Sequence, residues 1–100
     1  MGGAERITGG AAHWREGGPE LTWTDNSGEE QAKSKDYLLV LLFFPQTSYT
    51  EFTFNGAYRH NGRQFIRLSE DCNGQPVHIY ASFTRYDGSD ISPSSYLTVG

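Results

Sequence analysis

One hundred residues make one domain rather than two, and a chain of this size buries about two-thirds of the surface that its unfolded form exposes. A net charge of −4, with eight scattered Lys and Arg, has the wrong sign for a phosphate-binding surface and excludes nucleic acid as a partner. The hydrophobic fraction is only 36% but the aromatic fraction is 14%, so the core is expected to be rich in rings, each bringing ~150–250 Å² of contact.

Residues 1–10 carry four glycines and no periodic pattern. They read as a flexible lead, leaving 11–100 as the folded domain. The N-terminus lacks the apolar core of a signal peptide, and the longest apolar run, 37–44, is far too short to span a bilayer, so membrane insertion is not expected. From residue 11 onward, short β-favouring runs recur about every ten residues between turn signals, the spacing of a sandwich or barrel. Glu29–Lys35 has helix-forming composition but no apolar face, and an isolated helix of that length is marginal.

Ala11–Arg15 is a weak first strand. Glu20–Thr24 (ELTWT) is a clear second one, with Leu21 and Trp23 on one face and Trp23 destined for the core. A polar loop from Asp25-Asn26-Ser27-Gly28 reaches Asp36; its Lys33 and Lys35 sit among Glu29, Glu30 and Asp36 and read as solvated charge. The third strand, Tyr37–Phe44 (YLLVLLFF), has no charged residue and stops at Pro45. Ser48–Asn55 follows, with Phe52 and Phe54 alternating with Glu51 and Thr53. Ala57–His60 is expected to pair with Arg63–Leu68 across Asn61-Gly62, a strong hairpin signal. After Asn73-Gly74 and Pro76, Val77–Thr84 places Val77, Ile79, Ala81 and Phe83 on one face; Asp87-Gly88 closes that strand, and Ser94–Val99 is the last. Seven strands with tight turns and one long loop after the tryptophan strand predict an all-β, seven-stranded antiparallel immunoglobulin-like sandwich, with an up-and-down barrel as the rival.

The order tryptophan strand, long loop, hydrophobic third strand and alternating sixth strand (VHIYASF) leading to Tyr86-Asp87-Gly88-Ser89 resembles a fibronectin type III module. Residues 19–97, with DYLLVLLFFP, GAYRHNGRQFIRL and QPVHIYASFTRYDGSDISPSSYL, resemble more closely the C-terminal part of a Bacteroidetes family of unknown function. That resemblance implies an appended immunoglobulin-like domain with no assigned activity and no catalytic residues to carry over.

Catalytic and metal chemistry find little support. His13, His60, His78 and Cys72 fall in separate segments without paired ligand spacing, and His78, next to Ile79, should face away from the core. Asp87 and Asp90 could offer oxygens to calcium, but their spacing matches no loop in which five or more converge. A polar turn explains the same residues. Ser92, Ser94 and Ser95 flank Pro93 without a nucleophile motif. Cys72, the single cysteine, forms no internal disulfide and has no nearby cation to activate it. No cofactor and no enzymatic activity are expected.

The third strand carries the functional signal. One face, either Tyr37, Leu39, Leu41 and Phe43 or Leu38, Val40, Leu42 and Phe44, enters the core and leaves the other with large apolar groups where antiparallel sheets are normally polar. The candidate interface is taken as Leu38, Val40, Leu42 and Phe44 with Tyr80, docking another domain, another protein or a second copy, unless the 26–36 loop or the N-terminal segment covers it. The alternative is a carbohydrate-binding module using exposed aromatics, with Trp14 and Tyr80 as the candidate sugar-stacking residues.

Overall fold

The computed structural model describes residues 6–28, 33–53, 56–72, 74–97 and 99. It contains seven strands: β1 (Ala11–Arg15), β2 (Gly18–Thr22), β3 (Tyr37–Phe44), β4 (Tyr49–Thr53), β5 (Arg63–Phe65), β6 (His78–Thr84) and β7 (Ser95–Leu97). They form two antiparallel sheets, one of order β1-β2-β5 and one of order β4-β3-β6-β7. Consecutive strands therefore change sheet three times, at β2 to β3, β4 to β5 and β5 to β6. No α-helix occurs among the described residues.

The two sheets share one core. Ala12 and Leu21 from the first, with Trp23 just past the end of β2, meet Leu38, Val40, Leu42, Phe44, Ile79, Ala81, Phe83 and Leu97 from the second. Register explains the choice of face on β3. Leu38 lies opposite Phe83, Val40 opposite Ala81 and Leu42 opposite Ile79, and directly opposed residues of an antiparallel pair project to the same side. The clear alternation of β6 thus recruits the even-numbered row of β3 to the interior.

Three expectations change here. Residues 1–10 are not wholly outside the domain: Ile7 is only 7% exposed within the core, and the Thr8 carbonyl accepts the Thr24 amide at 2.8 Å. The second strand begins at Gly18 rather than Glu20, because Gly18 can approach where no side chain could. A Cβ there would stand 1.9 Å from the Ile66 carbonyl oxygen, and its φ is +156°. The Ala57–His60 hairpin strand does not form. Arg59–Asn61 is a 3₁₀ turn ended by Gly62 at φ 77°, and the following strand, β5, pairs with β2 instead. Phe54, Asn55, Asn73, Thr98 and residues 29–32 of the expected helical segment lie outside the described residues.

That 3₁₀ turn is held by a buried polar cluster. Arg59, 0% exposed, donates from Nε (3.0 Å) and Nη2 (2.8 Å) to Asp36 Oδ2 and from Nη1 to Asn26 Oδ1 at 2.9 Å. Its guanidinium lies 4.1 Å from the Phe83 ring centroid. Trp23 packs edge-on against the same ring at 5.5 Å and donates its indole N–H to the Arg59 carbonyl at 2.8 Å. Asp36 also accepts the Lys33 amide at 3.0 Å and pairs with Arg85 at 3.4 Å. A charge pair removed from water to this degree is tolerable only because each partner's hydrogen-bonding capacity is met.

Candidate functional site

With Leu38, Val40, Leu42 and Phe44 in the core, they cannot form the interface assigned to them from the sequence. The outward row of β3 is Tyr37, Leu39, Leu41 and Phe43, all half-buried. Tyr80 does lie on this outer face. Opposed pairs run straight across the sheet there: Phe52 opposite Leu41, Leu41 opposite Tyr80, Tyr80 opposite Tyr96. Phe52 is 59%, Tyr96 52% and Tyr80 38% exposed.

A second series of contacts ties this row to the end of the sheet. Phe43 stacks on His78 at 6.2 Å, His78 meets Tyr96 at 5.8 Å, and Tyr96 meets Tyr80 at 5.3 Å. The Tyr96 hydroxyl lies 3.0 Å from His78 Nδ1, which fixes both rings. His78 thus faces away from the core as its alternation with Ile79 requires, but among rings and not as an isolated surface imidazole. Between Leu39, Leu41, Phe52, Tyr80, Ser82 and Ser94 the face dips into an apolar depression of 420 Å³. The strand registers leave no Asp, Glu, Lys or Arg on this side among the described residues, since Glu51 lies opposite core-facing Leu42.

The two candidate sugar-stacking residues are not brought together. Trp14 is half-buried against the core and borders a different groove, with Gln75, Pro76 and Val99, whereas Tyr80 lines the depression on the outer face. Tyr80 and Tyr96 are inclined at 56°, so they do not make a single flat platform.

The polar candidates have local partners. Asp87 Oδ1 accepts the Ser89 amide at 2.9 Å, and Asp90 Oδ1 accepts the Ile91 amide at 2.9 Å. Hydrogen bonds from the Ser89 side chain and amide hold the Asp87 carboxyl below its ordinary value of 3.8. Asp25 is lowered in the same way by the hydroxyl and amide of Ser27. Tyr49, whose hydroxyl donates to Glu51 Oε1 at 3.1 Å, is pushed up by that bond and by the carboxylate charge. Among the described residues, no three His, Cys, Asp or Glu side chains converge as metal ligands do. Ser92 binds the Phe83 amide at 2.9 Å, and Ser94 Oγ lies 3.2 Å from Ser82 Oγ. Cys72 is half-buried beside the core.

Residues 2–98 match a family of unknown function, DUF6266. The chain belongs to that family. The DUF6266 match takes in all seven strands and also Ile7–Gly10, the stretch that packs against Leu97 and Thr24. No curated protein and no solved structure matches the chain. Sequence reasoning held Leu41 in one of two open face choices on the third strand and missed Phe52 and Tyr96 as members of the outer row. Part of the signal was present, because Tyr80 sets an aromatic ring in the outward row of β6 between His78 and Ser82, and Leu41 is its neighbour across the sheet.

Proposed function

We propose that this chain is a non-enzymatic interaction or assembly module, an immunoglobulin-like β-sandwich of the fibronectin type III kind that docks a protein surface on its β4-β3-β6-β7 face. Three changes of sheet between consecutive strands, and the tryptophan that follows β2 packed on a phenylalanine of the other sheet, support the sandwich. A place in a larger surface or structural protein is part of this proposal, and it is what the sequence resemblance to an appended domain of Bacteroidetes proteins implies. The observation that carries the docking role is the uncharged outer row Phe52, Leu41, Tyr80 and Tyr96, since charge depletion with aromatic enrichment is the composition of interface centres.

The size of the face sets the strength of docking. Three strand spacings by six residues of rise give about 300 Å². A stable interface takes about 800 Å² per partner. Alone, the face supports transient docking, and it becomes durable only when neighbouring contacts add to it. The test is a benzoylphenylalanine photo-crosslinker at position 80, with position 13 on the other sheet as control. Protein adducts should form at 80 and not at 13, whether with another chain or with a second copy. Equal yields at both positions, or none at 80, would contradict the reading.

A further inference from the structure

His78 is set into the outer face among uncharged groups on every side. Across the sheet it lies opposite Phe43, and Phe43 lies opposite Thr50. The imidazole stacks on the Phe43 ring at 6.2 Å, with 17° between the planes. From β7 it meets Tyr96, whose hydroxyl is 3.0 Å from Nδ1. The groove that His78 borders is walled further by Trp14, Gln75, Pro76 and Val99, none of them titratable, and Glu70, Asp71 and Cys72 of the same loop are not among its walls. Among the described residues, Tyr96 is therefore the titratable group that faces the imidazole. Phenols stay neutral through the range in which imidazoles ordinarily titrate.

Histidine is the side chain whose charge ordinarily changes between about pH 5 and pH 8. At this position the change is compatible with the fold. A tyrosine hydroxyl both donates and accepts, so Tyr96 can serve the neutral ring and the imidazolium alike without moving, and an aromatic face such as that of Phe43 accommodates a cation. His78 is moreover half-buried rather than enclosed. What changes is the surface. A face that is free of Asp, Glu, Lys and Arg gains a positive charge next to Tyr96, at one end of the Phe52, Leu41, Tyr80 and Tyr96 row. Covering an ionisable group with an apolar partner disfavours its charged form, and each unit of pKa by which it does so is a tenfold loss of affinity for the protonated surface.

We infer that His78 makes docking on the β4-β3-β6-β7 face pH-dependent, the face docking while the imidazole is neutral and releasing its partner when the imidazole is protonated. The inference rests on the docking role proposed for that face and adds its regulation. The test is a ¹H–¹⁵N dilution series of the full chain at about pH 8 and about pH 5, with a second copy as the probe partner. It is run on the parent and on His78→Gln, which stays neutral and keeps a polar group for the Tyr96 hydroxyl. Concentration-dependent shifts of Leu41, Phe52, Tyr80 and Tyr96 should be present at the higher pH and should need at least about tenfold more protein at the lower. His78→Gln should dock alike at both. His13, opposite Glu20 on the other sheet, and His60, stacked on Tyr58, remain in that variant, so a pH response that persists there belongs to them and overturns the inference. Equal docking of the parent at both pH values overturns the regulation alone. No docking at either overturns the docking face itself, and the regulation with it. Lost dispersion of the Val40, Leu42 and Phe83 amides at the lower pH would mean acid unfolding in place of release and would also overturn it.

Discussion

Removing the Asp36 carboxylate should be among the most damaging single changes in the chain. Asp36→Ala takes from the fully buried Arg59 the carboxylate that accepts from its Nε and Nη2, while the contacts to Asn26 Oδ1 and the Phe83 ring stay. Stranding one member of a buried pair costs ~3–5 kcal/mol. That is a large part of the ~5–15 kcal/mol by which domains are stable. At ~4–8 °C per kcal/mol for a chain of this length, the melting temperature falls by at least ~12 °C. Urea unfolding followed by tryptophan fluorescence is the natural assay, because Trp23 touches both Phe83 and the Arg59 carbonyl. With a slope of ~1–3 kcal/mol/M, the midpoint should drop by ~1 M or more. The double variant Asp36→Leu/Arg59→Met removes both charges and keeps an apolar chain over Phe83. It should recover most of the loss, short by ~1 kcal/mol for the Asn26 oxygen left without its donor. A cost below ~1 kcal/mol for Asp36→Ala, or a double variant as unstable as the sum of its singles, would refute the reasoning.

The remaining predictions concern packing, backbone and protonation. Leu42→Ala, in the core, should cost ~2–5 kcal/mol, whereas Leu41→Ala, one residue along on the outer face, should cost about 1 kcal/mol or less in urea unfolding. Gly28→Ala, at φ +91° with nothing nearby, should carry only backbone strain of ~1–2 kcal/mol. Gly18→Ala must also displace the Ile66 carbonyl and should lower the melting temperature further; equal losses would contradict the close approach. NMR titration of the carboxyl carbons should place the Asp25 and Asp87 midpoints below 3.8. Because the folded values are depressed, their contribution to stability is fully present above 3.8 and is lost as pH falls through the folded midpoints. Ser27→Ala should move the Asp25 midpoint part of the way back up, since the backbone amide bond remains.

The strand pattern was largely legible because it is written in local terms. Asp36 and Pro45 bracket β3, Pro76 precedes β6, and the alternation Ile79, Ala81, Phe83 identifies an inward face. What was not legible depends on contacts distant in sequence. Asn61-Gly62 is a strong local hairpin signal, but Arg59 is drawn to Asp36, 23 residues earlier, and the Gly62 carbonyl accepts the Trp23 amide at 3.0 Å. Those interactions turn the segment into a 3₁₀ cap and send Arg63–Phe65 to β2. The face choice on β3 could not be read from YLLVLLFF, where both rows are apolar, and it follows only from register with β6. The outer row shares that origin: it is assembled from four strands and carries no motif.

The most direct test of the uncharged outer face as a docking surface is a dilution series of ¹H–¹⁵N spectra, from millimolar to micromolar, on the parent chain and on Leu41→Lys. Transient self-docking predicts concentration-dependent shifts confined to Leu41, Phe52, Tyr80 and Tyr96 and their neighbours, abolished by the lysine while the core resonances stay in place. Shifts clustered on the β1-β2-β5 sheet, or a response at the outer row that survives Leu41→Lys, would contradict the account.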